Sequence, residues 1–501
     1  MRAESTDLDT KVTHVREETL LTAEEVSASV RSLKSGKAAG QDEIRPEMLK
    51  ALSGEGVLWL TRVCQVAWKN GKVPKDWQSS VIIPIFKKGD RKECTNYRGI
   101  SLLSLPGKVF AKCLERRCRE IVEPQLDDGQ CGFRPGRSTT DQIFTLKQVF
   151  EKSWEYAKDV YACFVDLEKA YDRIPRNQLW SVLLDYGVDG QLLQAIKSLY
   201  SQSEVRVRIG GKKSKPFQVG IGLRQGCVLS PLLFIVYMNW IDMHSRVDEG
   251  VTIGDCNISR LLFADDLVLL ASSESGLQCA LNKFAATCDT AGMKISTSKT
   301  EILHLSRMPR KCNVQVAGRT LKQVEKFKYL GIVFTSDGKQ DEELDIRTGK
   351  ASAVMRALQR SIVMKKELSR TAKLSVFKTV FVPILTYGHE SWVVTERVRS
   401  RVQAAEMRFL RKIEGVTLLD KVRSSEIRKS LDIEPLLLRI ERSQLRWYGH
   451  VNRMPLDRFA KQVLLAKVKG KRPTGRPRTE HDGKITLVIL IIHTSSLIPT
   501  N

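Results

Sequence analysis

The sequence has no closely spaced cysteine pair and few histidines. Its 11 cysteines are scattered along 501 residues without a C-x-x-C pair, and there are seven histidines. Neither a zinc site nor a disulfide framework is therefore expected, and the cysteine usage predicts a reducing intracellular compartment.

Long apolar stretches are also absent. The N-terminal segment MRAESTDLDTKV has no apolar core, so it lacks the pattern of a signal peptide. The most apolar segment near the C-terminus, ITLVILII, is eight residues long and too short to span a bilayer. We therefore expect a protein that is not secreted and has no membrane partner.

Acidic residues are fewer than basic residues. There are 57 Asp and Glu against 82 Lys and Arg, which gives a formal net charge of +25. The basic residues occur throughout the chain, so a basic tail alone does not explain the charge. A folded protein this basic usually meets a polyanion, most commonly nucleic acid. With 42% hydrophobic residues, the chain can build two or three compact units.

Patterning divides the chain into three parts. Thr22 and Glu25 have the spacing of a capping box and predict a helix to about Lys34. The centre is richer in strands: VYACFV predicts a strand buried on both faces, and FKYLGIVF predicts another. Basic helices follow from about Asp341. Regular patterning fades past Pro455, where KVKGKRPTGRPR predicts an unstructured segment able to lie on phosphates.

Two adjacent acids stand between apolar runs in LLFADDLVLL, and VYACFV ends in a third acid, Asp166. The apolar runs predict a tight hairpin with Asp265 and Asp266 at its tip. If the strands share one sheet, the three carboxylates converge and form a site suited to Mg²⁺. Two such ions roughly 3.5–4 Å apart serve phosphoryl transfer in polymerases and nucleases. The alternative is a plain turn for the pair and a helix N-cap for Asp166.

Several segments carry a family resemblance. FADD resembles the aromatic-x-Asp-Asp box of reverse transcriptases, FVDLEKAYDRI their first palm motif, and GLRQGCVLSPLLF their loop-and-helix motif. The finger-like segments are SGKAAGQDEIRPEML, VIIPIFKKGDRKECTNYRGISLL and QCGFRPGRSTTDQIFTLKQ; KYLGIVF resembles the primer grip, and LRWYGHVNRM a segment beyond the thumb. Their order, over roughly residues 35 to 454, resembles the reverse transcriptases of non-LTR (LINE-type) retrotransposons.

The resemblance implies an α+β right-hand polymerase fold with fingers, an antiparallel-sheet palm and a helical thumb. The expected parts are residues 1–21, a disordered remnant of an upstream linker; 22–155, fingers with an N-terminal extension; 156–340, palm including the primer grip; 341–454, a basic helical thumb and connector; and 455–501, a basic tail expected to be disordered. Relatives of this class usually carry an endonuclease before the polymerase, and we expect that domain to be missing here.

The resemblance also implies roles for single residues. The metal ligands would be Asp166, Asp265 and Asp266, with the backbone carbonyl of Leu167 assisting. Lys299, in STSKTE, would protonate the departing pyrophosphate.

The nucleotide would meet a second set of residues. Tyr171 matches the aromatic gate under the sugar of the incoming nucleotide, which selects dNTPs over rNTPs. Gln225 and Gly226 match residues that face the new base pair, and Gly permits close backbone approach. Arg98 and Arg134 would contact the triphosphate or the template backbone.

The function implied is that of an RNA-directed DNA polymerase using two Mg²⁺ ions, with Mn²⁺ as a substitute. Its partners would be an RNA template, a DNA primer or target, dNTPs and its own element RNA, held as a ribonucleoprotein in the cytoplasm and nucleus. A non-catalytic nucleic-acid-binding remnant and an intron-encoded maturase-type reverse transcriptase are the alternatives. The intact acids favour activity, and KYLGIVF and LRWYGHVNRM favour the LINE class over the maturase.

Overall fold

The computed structural model describes residues 19–339, 341–470 and 472–474. The helices are α1 (Ala23–Arg31), α2 (Pro46–Lys50), α3 (Gly54–Asn70), α4 (Lys75–Gln78), α5 (Leu105–Val122), α6 (Thr139–Glu155), α7 (Ala170–Arg173), α8 (Arg176–Asp185), α9 (Gly190–Tyr200), α10 (Ser230–His244), α11 (Glu274–Thr290), α12 (Asp341–Leu358), α13 (Arg370–Val376), α14 (Val382–Leu385), α15 (Glu396–Glu414), α16 (Ser424–Ser430), α17 (Leu436–Arg453) and α18 (Phe459–Leu465). Across these described residues, no helix is both long and apolar enough to span a membrane.

The strands are short and lie mainly in the first two-thirds of the chain. They are β1 (Ser79–Phe86), β2 (Tyr97–Leu103), β3 (Val160–Val165), β4 (Glu204–Ile209), β5 (Lys212–Lys213), β6 (Phe217–Gln218), β7 (Val251–Ile253), β8 (Cys256–Ile258), β9 (Arg260–Phe263), β10 (Asp266–Ala271), β11 (Glu301–Leu305), β12 (Gln315–Val316), β13 (Arg319–Thr320), β14 (Lys322–Gln323), β15 (Lys326–Tyr329) and β16 (Ile332–Thr335).

The chain forms two compact units that are not continuous in sequence. The first unit combines residues up to 126 with residues 171–237, and the second combines 127–170 with the chain from 238 onward. These units do not coincide with the expected fingers and palm, because the expected fingers and the expected palm each contribute residues to both units. The division into fingers, palm and thumb stays a prediction. Residues 1–18 and 475–501, which include most of the expected linker and tail, lie outside the described residues.

The first unit is built on a mixed sheet. Its strand order is β2-β1-β4-β5, with β6 also paired to β4; β1 runs antiparallel to β2 and parallel to β4. The predicted capping box is present at α1, where the Thr22 hydroxyl accepts from the Glu25 N–H and the Glu25 carboxylate accepts from the Thr22 N–H. A tight hairpin joins β4 and β5, and Gly210 and Gly211 take positive φ at its turn.

The second unit contains the sheet that matters most for the predicted site. Its strand order is β14-β11-β3-β10-β9, and β3 pairs antiparallel with both β10 and β11. All six residues of β3 are buried, as its continuous apolar sequence predicts. Alternate residues of β3, Val160, Ala162 and Phe164, share a hydrophobic core with α6, and α11 packs against β3 and β10. The strands that lead to the acids are therefore buried against α6 and α11.

Helices dominate the rest of the second unit. From residue 341 to 453 the described chain contains helices and no strand, and its core includes Phe381, Phe409 and Leu410.

Two sequence predictions near this region are wrong in detail. FKYLGIVF is a hairpin of β15 and β16 rather than one strand, because Leu330 and Gly331 take positive φ at its turn. The tail expected to be disordered from 455 contains α18, whose apolar face packs on α6; Lys152 donates to three carbonyls at the end of α18.

Candidate active site

The two adjacent acids lie on a tight hairpin. β9 ends at Phe263 and β10 begins at Asp266, which pairs with Phe263, so the loop consists of Ala264 and Asp265 alone. The prediction that both acids form the tip is therefore corrected: Asp265 is at the tip and Asp266 is the first strand residue. The two-residue connection explains why apolar runs flank the pair, since both strands are largely buried, β10 inside the sheet and β9 at its edge.

Asp166 lies beside this hairpin. The β3–β10 register pairs Val165 with Leu267, and continuing it by one position places Asp166 opposite Asp266. The backbone of Asp166 is fixed on both sides: its N–H donates to Thr300 Oγ1 at 3.2 Å, and its carbonyl accepts from the Ser296 N–H at 2.8 Å. The sheet therefore brings the three predicted acids to one end of adjacent strands.

Asp265 and Asp166 lie close enough to Asp266 to influence its protonation. The pKa of Asp266 is raised to about 6, first by burial and then by the negative charges of Asp265 and Asp166. Asp266 nevertheless keeps part of its surface in solvent. A cluster of like charges at the mouth of an apolar sheet is stabilised by a proton or a cation.

The three carboxylates suit Mg²⁺ in the way in which proteins usually bind that ion. Mg²⁺ takes one or two carboxylates and completes its octahedron with waters and substrate phosphates, rather than using a cage made of protein alone. Within the described ranges, no three His, Cys, Asp or Glu side chains, the three acids included, lie together as a ready set of metal ligands. Leu167, the predicted backbone ligand, is buried and bridges to Ile295.

Lys299 adds a cation to the acid cluster. Its ammonium Nζ lies 3.2 Å from Asp166 Oδ1, and the side chain is largely exposed. The turn that carries it is short, since the N–H groups of Lys299 and Thr300 both donate to the Ser296 carbonyl. The structure thus brings Lys299 to the acids, as the sequence predicts, although its role in proton transfer stays a prediction.

Sequence reasoning missed a loop that supports the hairpin. The carbonyl of Gly129 accepts from the Leu262 N–H, and the Cys131 N–H donates to the Leu262 carbonyl. Gln130 reaches the turn itself, with Oε1 2.9 Å from the Ala264 nitrogen. A Cβ on Gly132 would lie 2.2 Å from that same nitrogen, so only glycine allows the loop to approach so closely.

Arg134 belongs to the same loop and has a different environment from the one expected. It is buried, and its Nη1 donates to the carbonyls of Asp127 at 2.6 Å and Gln130 at 3.1 Å. These contacts favour a role in shaping the loop over one in binding triphosphate.

The other predicted nucleotide-binding residues belong to the first unit. The ring of Tyr171 stacks on Phe234 with centroids 4.2 Å apart and planes 8° apart, while the Tyr171 carbonyl accepts from the Leu223 N–H at 2.8 Å. Arg98 is an exposed residue of β2. The Tyr171 ring is held in place and Arg98 is accessible to solvent, so both positions are compatible with the predicted roles. The roles themselves stay predictions.

Gln225 and Gly226 sit against the end of β2. The Gln225 carbonyl accepts from the Ser101 N–H at 2.8 Å, and its Nε2 donates to Asp172 Oδ1 at 3.1 Å. Gly226 has a φ of +121°, and a Cβ there would lie 2.6 Å from the Ser101 carbonyl oxygen. Glycine is therefore needed here because the chain passes close to the backbone of Ser101, and the approach of Gly226 to a base pair stays a prediction.

The chain is similar to known proteins along most of its length. Residues 85–334 match the family described as reverse transcriptase (RNA-dependent DNA polymerase). The chain is 27% identical over 452 residues to a probable RNA-directed DNA polymerase from transposon BS of Drosophila melanogaster, covering 86% of this chain and 48% of that protein. It is 24% identical over 474 residues to the RNA-directed DNA polymerase from mobile element jockey of the same organism, covering 91% and 50%.

Both relatives are longer proteins, and the chain spans about half the length of each. Among solved structures, an apo telomerase from Candida tropicalis, truncated from its C-terminal domain, aligns with a TM-score of 0.39 and 14% identity, covering 57% of this chain and 60% of that one.

Proposed function

Because residues 85–334 make this chain a member of the reverse transcriptase (RNA-dependent DNA polymerase) family, we propose that it is an RNA-directed DNA polymerase of a non-LTR retrotransposon. It would extend a primer 3′-hydroxyl on an RNA template, using dNTPs. The observation that carries the proposal is the placement of Asp166, Asp265 and Asp266 at one end of the β3–β10–β9 sheet.

The three acids would hold divalent cations, with the Leu167 carbonyl assisting. Mg²⁺ is the ion that this all-oxygen donor set favours, and Mn²⁺ is the substitute. Two bound ions would lower the pKa of the primer hydroxyl and stabilise the charge of the departing pyrophosphate. The chain's own contribution is to present the carboxylates on rigid strands, so that little reorganisation is needed when the substrate binds.

Lys299 would supply the proton that the leaving group needs. Its ammonium is 3.2 Å from Asp166 Oδ1, so a proton donor already stands beside the acid cluster. Transfer of a proton from Nζ to the pyrophosphate oxygen would balance the exchange in which the primer oxygen bonds to the α-phosphorus, the bond to pyrophosphate breaks and the proton of the primer hydroxyl passes to solvent water.

The remaining nucleotide contacts are proposed residue by residue. Tyr171 would exclude a 2′-hydroxyl, because its ring is held by the stack on Phe234 and cannot easily rotate away. Gln225 and Gly226 would face the new base pair, and Arg98 would contact phosphate. Arg134 is proposed as a shaping residue of its loop rather than as a phosphate ligand.

The template and primer would be bound mainly through their phosphates. The net charge of +25 supplies this attraction without sequence specificity. The basic helix α15 contributes Arg408 and Arg411 to this charge. We propose an RNA template, a DNA primer or target, and the element's own RNA as partners, with the ribonucleoprotein acting in the cytoplasm and nucleus.

A non-catalytic nucleic-acid-binding protein is the second candidate, favoured by the net charge alone. The two functions are separated by primer extension on an RNA template with dNTPs and Mg²⁺. We expect extension by the unmodified chain and a loss on the order of 10³-fold in Asp265→Asn, since metal ions supply several kcal/mol of transition-state stabilisation.

Asp255→Asn is the matched control, because Asp255 is an exposed acid of the same unit whose side chain pairs with Lys469. It should extend the primer like the unmodified chain. A folded, RNA-binding preparation that extends no primer would contradict the polymerase proposal. Equal activity of Asp265→Asn and the unmodified chain would contradict the assignment of the acids.

A further inference from the structure

The turn that carries Asp265 has an unfavourable backbone. Ala264 has a φ of +60°, whereas Asp265 is outside the positive-φ region, which is the pattern of a type II′ turn. Glycine is the usual residue at the first position of such a turn. A non-glycine residue there costs on the order of 1–3 kcal/mol and persists only when its surroundings fix it. The surroundings of Ala264 must therefore hold the turn.

Gln130 makes the contacts that do so. Its side chain is 1% exposed, and its Oε1 accepts from the Ala264 N–H at 2.9 Å and from the Gly132 N–H at 2.8 Å. Its Nε2 is 3.5 Å from the Ala264 carbonyl oxygen. One buried amide thus contacts both backbone polar groups of the strained residue.

The backbone on either side of Gln130 fixes this amide in place. The Cys131 N–H donates to the Leu262 carbonyl at 2.9 Å, and the Gly129 carbonyl accepts from the Leu262 N–H at 3.0 Å. The backbone around Gln130 is therefore fixed to β9, and the Gln130 side chain holds the turn in place relative to that strand.

We propose that Gln130 is a positioning residue for Asp265, acting through the Ala264 N–H. The inference rests on the proposed polymerase function and deepens it, because it names the group that holds a catalytic carboxylate in place. Without the amide oxygen, the N–H groups of Ala264 and Gly132 lose their partner, and the strained turn loses the contact that selects its conformation.

The test compares Gln130→Met with Gln142→Met. Methionine keeps the length and volume of the side chain and removes the acceptor. Gln142 is the matched control, because it is 2% exposed and its Nε2 donates to the carbonyls of Gly129 at 2.6 Å and Leu262 at 2.9 Å. Both variants therefore remove buried hydrogen bonds where this loop meets the hairpin, but only Gln130→Met removes the bonds to Ala264 and frees the turn.

Two readouts are needed. Hydrogen exchange of the peptide spanning residues 260–270 should become at least tenfold faster at the Ala264 amide in Gln130→Met and not in Gln142→Met. In primer extension, kcat of Gln130→Met should fall by on the order of tenfold or more with KM for dNTP retained, since a small misplacement of a reacting group is costly. Gln130→Glu keeps an acceptor oxygen and should restore slow exchange.

The inference is overturned if Gln130→Met and Gln142→Met have the same exchange rate at Ala264 and the same kcat. Failure of the unmodified chain to extend a primer would remove the proposed function instead. The exchange comparison would then still decide whether Gln130 holds the turn, because it needs neither substrate nor metal.

Discussion

Replacing Gly132 by alanine should displace the hairpin that carries Asp265, the proposed catalytic acid. The added Cβ would lie 2.2 Å from the Ala264 nitrogen and 2.9 Å from its Cα and Cβ. Non-bonded heavy atoms rest at about 3.5 Å or more, so the shortfall at the nitrogen is about 1.3 Å. The atoms that would have to yield are backbone atoms of the turn, so no side-chain rotation relieves the contact.

The size of the effect follows from that displacement. Gly132 does not have a positive φ, so alanine there adds no backbone strain and the overlap is the whole penalty. Overpacking of this kind costs roughly 1–3 kcal/mol of the free energy of unfolding. A shift of about 1 Å at a reacting group lowers kcat on the order of 100-fold. Activity should therefore fall far more than stability.

The assay is steady-state primer extension beside a urea unfolding curve. Gly54→Ala serves as control, because Gly54 is exposed at the start of α3 and no heavy atom lies within 4 Å of its added Cβ. This control should keep full activity and unchanged or slightly higher stability. If Gly132→Ala retained the kcat of the unmodified chain, the close contact between its loop and the hairpin could not be what limits the position of Asp265.

Two further predictions concern other parts of the chain. Under the proposed function, Tyr171→Ala should let the chain incorporate rNTPs, whereas Tyr171→Phe should not. The measurement is the ratio of kcat/KM for dNTP to kcat/KM for rNTP. An unchanged ratio in the alanine variant would contradict the gate role of Tyr171. Glu406→Ala should lower the free energy of unfolding by about 3 kcal/mol, because fully buried Glu406 accepts from Arg428 at 2.7 Å and its loss leaves that cation without its buried partner. A urea curve showing a loss below about 1 kcal/mol would contradict the second expectation.

The elements that could be predicted from sequence are those whose signal is local. VYACFV is a strand because an unbroken apolar run of that length suits a central strand, and the capping box at Thr22 needs only residues three apart. The α+β fold class is confirmed by the mixed architecture together with the family match. The placement of Asp166 beside the hairpin could be predicted because β3 and β10 are both apolar enough to need an inner position in a sheet.

The features that could not be predicted depend on contacts between distant residues. Gln130 and Ala264 are 134 positions apart, and a polar residue in a glycine-containing loop gives no sign that it will be 1% exposed. Arg134 gave the same difficulty, because an arginine that binds backbone carbonyls and one that binds phosphate look alike in sequence. Only Gly331 within FKYLGIVF carried an unused local signal, since an isolated glycine in a strand pattern often marks a turn.

The acids themselves weaken the fold that holds them. A carboxylate whose pKa is raised in the folded state, as for Asp266, destabilises that state above its pKa of about 6, and this cost disappears as the pH falls and the group is protonated. At neutral pH the sheet therefore carries a repulsion that hydrophobic burial of β3, β9 and β10 must offset. A cation that binds the folded chain and not the unfolded one relieves the same repulsion and adds stability by mass action. The apolar strands that flank the two adjacent acids, and the buried amide of Gln130 that accepts from the Ala264 N–H, hold the charges together, and a bound cation would neutralise them.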